Sequence, residues 1–364
     1  MNRNSLRTAA PAAALALALG LSACGAANES DDSGSDTGTK VSGTLNAGGS
    51  SAQEAAVAAW KKNFQTTNPD ATVNYDPVGS GGGREQFIAG GLSIAGSDAY
   101  LDDEELAAAK ETCKSDIVEI PVYVSPIAVI YNLDGVDELN LSPKTVGAIF
   151  EGKITKWDDA AIKADNPDAD LPSSDITPVH RSDDSGTTKN FTDYLDQASE
   201  GGWTGGEVET WPIKGGEAAE GTSGVVAAVT GGKGTIGYAD ESQAGELSQA
   251  KIKVGEEFTA ATPEAAAKVL DTAAPVEGRG PTDIAVDVDR KTAESGVYPI
   301  VLASYQIACQ TYSDKATADL VKAWLTYVAS SDGQAAAAET AGSAPLSSEF
   351  SSKVQAAIDT IKAS

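Results

Sequence analysis

The sequence predicts an α/β protein behind a removable leader. Two observations carry this. Strand-like and helix-like segments alternate from about Val41 to the C-terminus, and no segment recurs at a fixed period. The chain has 364 residues, 41% hydrophobic and 22% charged, which is enough core for two domains or one large one and too apolar for a disordered chain.

Taken in order, the N-terminus comes first. Arg3 and Arg7 precede an apolar run from Pro11 to Ala23. That run is 13 residues long, short of the roughly 20 a spanning helix needs, so it reads as a signal h-region. It ends in Leu21-Ser22-Ala23-Cys24, which resembles a bacterial lipoprotein box. Cleavage before Cys24 and acylation of its thiol (a palmitate-type anchor) are what that resemblance implies for 1–23. The alternative is an ordinary signal peptide with an incidental Cys. Residues 24–43 are polar, acidic and rich in Gly and Ser, the composition of a flexible tether.

VSGTLNAGG then reads as a strand, and SSAQEAAVAAWKKNFQ as a helix with apolar spacing near 3.6. ATVNYDPVG is a strand, SGGGREQFIAGG a helix, and LSIAGSDAYL a strand ending near Asp98. DDEELAAAKE is a helix whose acidic first turn suits the dipole. VEIPVYVSPIAVIYNL is the most apolar stretch; with Pro121 and Pro126 it reads as a buried strand pair or a crossover between lobes. SPKTVGAIFEG and WDDAAIKADN are helical, and ITPVHRSDDSGTTKNFTDYLDQ repeats the strand–turn–helix scheme. GTSGVVAAVTGG and GTIGYADES give another helix and strand, YPIVLASYQIACQTY a late buried strand, and ATADLVKAWLTYVAS an amphipathic helix.

Composition excludes several chemistries. Lys and Arg total 26 against 53 Asp and Glu, a net charge of −27. That opposes a phosphate-backbone binder, hence no nucleic acid, and opposes attachment to anionic lipid through a basic face. His180 is the single histidine, so a multi-His metal site is excluded. No G-x-S-x-G surrounds a serine, no P-loop is present, and no enzyme activity, cofactor or metal is expected. His180 lies inside an apparent strand beside Arg181 and is expected to be structural. With Cys24 set aside, Cys113 and Cys309 either form one bridge or remain buried thiols.

Three places share one local design, a strand running into Gly and then a hydroxyl residue at a helix start. They are Gly48-Gly49-Ser50-Ser51, Gly79-Ser80-Gly81-Gly82-Gly83, and Asp184-Ser185-Gly186-Thr187. A helix start has unpaired N–H groups and a partial positive charge, and glycine lets a ligand approach the backbone. One such start is an ordinary cap; three point to an anion held between helix ends. Arg181, four residues before Ser185, offers a planar fork of donors to an oxyanion, and Asp183 is placed to orient it.

The ordered segments AGGSSAQ, VGSGGG, AGSDAYL, KITKWDDAAIKADNP, VHRSDDSGTTKNFTDYL and GTIGY resemble the phosphate-binding lipoprotein (PstS-type) of the bacterial phosphate ABC transporter. KITKWDD followed by R-x-D-x-SGT is the specific part. The resemblance implies a type II periplasmic-binding-protein fold of two α/β lobes with a ligand cleft between them. Lobe one would be 44–122 plus 299–364 and lobe two 123–298. Cys113 and Cys309 would then share a lobe, which permits a bridge. The implied phosphate ligands are Ser51, the Ala52 amide, Ser80, Asp98, Arg181, Ser185, Gly186 and Thr187, with Asp183 pairing the Arg. Ala52 departs from the family, which commonly has an aromatic there. The implied partners are inorganic phosphate and a membrane permease driven by a cytoplasmic ATPase, and the implied location is the outer face of the cell membrane, lipid-anchored at Cys24 and monomeric.

In that set Asp98 only accepts hydrogen bonds. A protonated phosphate can donate to it; sulfate near neutral pH has no proton to give. A site for sulfate or molybdate, and an adhesin or sensor that keeps the fold, are the competing readings. The acidic field is expected to slow anion capture and to make the on-rate rise with salt.

Overall fold

The computed structural model describes residues 40–270 and 273–364. The leader, Cys24 and the tether up to residue 39 lie outside the described residues. No helix among the described residues is long and apolar enough to cross a membrane.

One mixed sheet of nine strands organises the described chain. Its strands are β1 (Gly43–Gly49), β2 (Ala71–Asp76), β3 (Ile94–Ser97), β4 (Ile117–Asn132), β5 (Thr177–Arg181), β6 (Glu217–Ala219), β7 (Thr235–Asp240), β8 (Ser248–Gln249) and β9 (Val301–Cys309). The spatial order is β2-β1-β3-β9-β4-β7-β5-β6, with β8 also on β4. The parallel pairs β1–β2 and β1–β3 require crossovers. Helices α1 (Glu54–Thr67) and α2 (Ser80–Ile88) supply them. α1 buries Trp60, whose ring N–H donates to the Gly333 carbonyl at 2.7 Å, and Phe64, whose ring meets Trp324 edge-on at 5.4 Å.

Helix α3 (Asp103–Cys113) starts with a capping box between Asp102 and Glu105 and stops at Lys114, whose φ of 53° turns the chain out of the helix. Its last residue is disulfide-bonded to Cys309, the last of β9, with Cα atoms 5.4 Å apart.

β4 is the apolar stretch with two prolines, and only its last residue is not buried. It is one strand serving both halves of the sheet. Ile117–Pro126 pairs antiparallel with β9, and Ile127–Asn132 pairs antiparallel with β7. The register slips where Tyr305 pairs with Pro121 and Ser304 with Tyr123, so Val122 is skipped. Pro121 has no N–H to offer the ladder there. The Val122 carbonyl is taken instead by Gln334 Nε2 at 2.9 Å.

The second half carries α4 (Pro143–Phe150), α5 (Ala160–Asp165), α6 (Gly186–Ala198) and α7 (Gly221–Gly231). α6 follows β5 and α7 follows β6, again spanning parallel pairs. Helices α8 (Pro263–Leu270), α10 (Ser331–Ala341) and α11 (Ser348–Asp359) fall in stretches the sequence reading left unassigned, while α9 (Lys315–Ala329) is the expected amphipathic helix. A small hairpin, Lys251–Val254 with Glu257–Thr259, is likewise additional. The stretch 279–287 lies on the first half: Ile284 N–H bonds the Glu119 carbonyl, and Arg279 bonds the Leu101 carbonyl.

Candidate functional site

The strand-to-helix turns converge where the two halves of the sheet meet. The first begins at Gly49. Its φ is +134°, and a side chain there would collide with the backbone of Gly96. That close approach lets Ser50 N–H bond the Gly96 carbonyl at 2.8 Å and carries the chain into the site. The hydroxyl of Ser50 then takes the amides of Ala52 and Gln53, at 3.1 and 3.3 Å, and donates to Asp98 Oδ1 at 2.5 Å. The Ala52 amide, expected to face a ligand, therefore already has an acceptor within the turn.

At the second turn α2 begins at Ser80, whose oxygen accepts the Asp98 amide at 3.0 Å and keeps its own proton for another partner. Asp98 follows β3 and is 3% exposed. Its Oδ1 accepts from both Ser50 and Ser304, each at 2.5 Å, and its Oδ2 from Thr187 at 3.0 Å.

The third turn lies between β5 and α6. Arg181 is buried; its Nε donates to Asp183 Oδ1 at 2.7 Å and its Nη2 to Oδ2. Gly221 N–H adds a bond to Oδ1 at 3.1 Å. Burial pushes the Asp183 carboxyl up, but the bonds and charge of Arg181 outweigh it and hold the group below its ordinary value. Ser185 caps α6 by accepting from Thr188 N–H at 3.1 Å. Gly186 and Thr187 are the first helical residues, so their N–H groups have no acceptor within the helix. Gly186 packs tightly: an added Cβ would fall 2.6 Å from Ser80 Oγ and 2.9 Å from Asp98 Cβ.

Ser51 is buried and meets a fourth helix start, that of α7. Thr222 donates its N–H to Ser51 Oγ at 3.0 Å, and the two hydroxyls are 3.0 Å apart. Ser51, Ser80, Asp98, Arg181, Asp183, Ser185, Gly186 and Thr187 are thus joined through a continuous set of contacts running by way of Ser50, Gly221 and Thr222.

Several contributors went unread in sequence. Thr222 sits in Gly221-Thr222-Ser223, the same Gly-then-hydroxyl design as the other three, so a signal was present. Ser304 lies mid-strand between Ala303 and Tyr305, and nothing local marks it. Asn190 bonds the Asp98 carbonyl at 2.6 Å and the Gly186 carbonyl at 2.9 Å, and Tyr238 accepts the Arg181 amide at 3.2 Å while lying 2.6 Å from Thr188 Oγ1. His180 is in β5 with its ring stacked on Trp211 at 5.0 Å, a packing role. No group of three or more His, Cys, Asp or Glu that could hold a metal ion occurs among the described residues.

What this arrangement offers is a buried cluster of hydroxyls, helix-start amides and one guanidinium, with Asp183 holding the guanidinium and the Asp98 carboxylate facing the hydroxyls. Comparisons with known proteins bear on it. Residues 34–332 match the PBP superfamily domain. The chain is 38% identical over 357 residues to phosphate-binding protein PstS 3 of Mycobacterium tuberculosis strain H37Rv, covering 94% of this chain and 95% of that one. It is 37% identical, with the same coverage, to PstS 3 of Mycobacterium leprae. Among solved structures, a high-affinity periplasmic phosphate-binding protein bound with phosphate (PfluDING) superposes with a TM-score of 0.72 at 22% identity, over 86% of this chain and 93% of that one. A putative phosphate ABC transporter substrate-binding protein from Clostridium perfringens gives 0.61 at 19% identity, over 84% and 100%.

Proposed function

The chain belongs to the PBP superfamily and, within it, to the phosphate-binding PstS proteins, and from that premise we propose that it captures inorganic phosphate outside the cytoplasm and presents it to an ABC permease. The observation that carries the reading is the accounting at Asp98. Each carboxylate oxygen has two lone pairs. Oδ1 spends both on Ser50 and Ser304, and Oδ2 spends one on Thr187. One acceptor position is left, inside a ring of donors. A dry site of that composition suits an oxyanion that still carries a proton.

The remaining protons have matching roles. Ser80 and Ser185 each accept from a backbone amide, which turns the hydroxyl proton outward. Asp183 occupies the Nε–Nη2 edge of Arg181, so Nη1 is the edge left for the anion. Gly186 and Thr187 add helix-start amides. Phosphate near neutral pH can fill the last position on Asp98. Sulfate would set acceptor against acceptor in a water-poor site, at a cost of about 1–3 kcal/mol or more.

We divide the binding unit into lobe one, 44–122 with 299–364, and lobe two, 123–298, with β4 and β9 at the junction. The stretch 279–287 then belongs to lobe two in sequence and lies over lobe one. Phosphate would be enclosed by hinge closure. Acylation at Cys24 would hold a monomer at the outer membrane face, with the acidic tether as leash; ATP would be used by another subunit. The test is titration calorimetry of the ligand-stripped chain with phosphate and with sulfate. Binding of phosphate and not of sulfate is expected; a folded chain that binds no phosphate overturns the reading.

A further inference from the structure

Arg84 lies one turn along α2 from Ser80 and is 4% exposed. A buried guanidinium needs partners, and this one has three. Nε donates to both oxygens of Glu105, at 2.9 and 3.0 Å, and Nη1 to Ser97 Oγ at 2.9 Å. Both belong to lobe one, as Arg84 does. Nη2 reaches across to Glu209 Oε2 at 2.7 Å, in lobe two. Burial works against the charge of Arg84, and the two glutamates outweigh it, raising its pKa.

Glu209 stands on the far side next to a packed aromatic cluster. Two residues on, Trp211 stacks on His180 and packs against Trp203 and Tyr238. The Glu209 carbonyl accepts from Ser185 N–H at 3.3 Å, at the cap of the helix whose first amides face the site. Beside it, Gly81 N–H of lobe one bonds the Asp184 carbonyl at 3.1 Å, and Thr210 bonds the Asp184 carboxylate. Glu209 Oε1 is buried without a hydrogen-bond partner, with Lys189 Nζ 3.8 Å away. A carboxylate oxygen buried without a hydrogen bond is costly and calls for a reason.

We infer that the Arg84–Glu209 ion pair is a latch across the cleft that sets how long bound phosphate is retained. It rests on the phosphate-binding reading above and adds a residue pair to it that does not touch the anion. When the lobes part, Arg84 keeps Glu105 and Ser97, so no guanidinium is stranded; only Glu209 returns to water. The arm on Glu209 is the detachable one. It forms after closure and has to be rehydrated and broken before opening, so its effect falls on release. Truncating one partner of a buried charge pair acts mainly on dissociation.

The experiment follows release of radiolabelled phosphate into excess unlabelled phosphate, with calorimetry and thermal melting on the same full-length proteins. Glu209→Gln is expected to speed release by about tenfold or more while association changes little. Glu105→Gln, on the same side as Arg84, stays within about twofold of wild type. Glu209→Asp, with the charge kept on a shorter arm, falls between them and serves if Glu209→Gln does not fold. Release from folded Glu209→Gln, or failing that from Glu209→Asp, at the wild-type rate overturns the latch and leaves phosphate binding standing. Absence of phosphate binding by the wild type overturns the functional reading instead.

Discussion

Thr187 Oγ1 donates to Asp98 Oδ2 at 3.0 Å although 89 residues separate them and they stand on opposite halves of the sheet. The bond exists only when the halves are together, and it leaves one lone pair of that oxygen uncommitted.

Asp98→Asn removes the acceptor and puts a donor in its place. Phosphate affinity is expected to fall about 10- to 100-fold, from the loss of a charged hydrogen bond worth roughly 1–3 kcal/mol. Sulfate binding becomes measurable. Calorimetry with both anions reads this, and a variant that still rejects sulfate would move the discrimination away from Asp98.

Thr222→Val keeps the amide that donates to Ser51 and deletes the hydroxyl 3.0 Å from it. Ser51 loses one neutral partner, worth about 0.5–1.5 kcal/mol, so phosphate binding weakens about two- to tenfold. An unchanged dissociation constant would show that Thr222 only packs.

How much of this was legible in the sequence follows from the range of the interactions. The alternation of strands and helices, and the three Gly-hydroxyl turns, are set by residues within one turn of each other, and so could be read locally. Arg181 with Asp183 was legible for the same reason, being two residues apart. The partners of Asp98 were not: Ser50 is 48 residues away and Ser304 is 206 away. Ser304 looks like any small residue of a buried strand until β9 is placed beside β3. The acceptor of the Ala52 amide was not legible either: α1 starts at Glu54, later than the sequence pattern suggests, and Ser50 turns inward to cap the turn. The pairing of Cys113 with Cys309, left open by the residues, is decided by β9 lying next to β4, where α3 ends.

Asp240 gives a pH dependence. Burial pushes its carboxyl up from 3.8 to about 7, against hydrogen bonds from Ser242 and Tyr123. The folded chain therefore holds this proton more tightly than the unfolded one. The contribution is fully present below about pH 4 and is lost as pH rises through 7, a decline of about 4 kcal/mol at most. Urea unfolding of wild type and Asp240→Asn from pH 4.5 to 8 checks it. The two stabilities converge towards low pH or separate towards high pH according to this sign, with the variant less sensitive; parallel curves would refute the assignment.

Reduction of Cys113–Cys309 is expected to lower stability by about 2–4 kcal/mol, because the bond closes a long loop in the unfolded chain. The bridged residues are separated by 196 positions. Phosphate affinity is expected to stay within about twofold, since neither cysteine touches the site. Urea midpoints and calorimetry with and without dithiothreitol give both quantities, and equal midpoints would contradict the expectation.

The place of β9 in the sheet also governs the order in which the molecule is able to fold. It joins β3 to β4, yet it is made from residues 301–309, near the chain's end. While the ribosome is at work, the β1–β2–β3 block and the first half of β4 have nothing between them, and the bond of Cys113 has no second sulfur. Contacts of such sequence separation are late and slow to form. Compaction of the β1–β2–β3 block onto β4 therefore waits until residues 301–309 have been made. On the extracytoplasmic reading proposed above, that delay would keep an exported chain pliable during its passage and leave closure of the sheet to the far side.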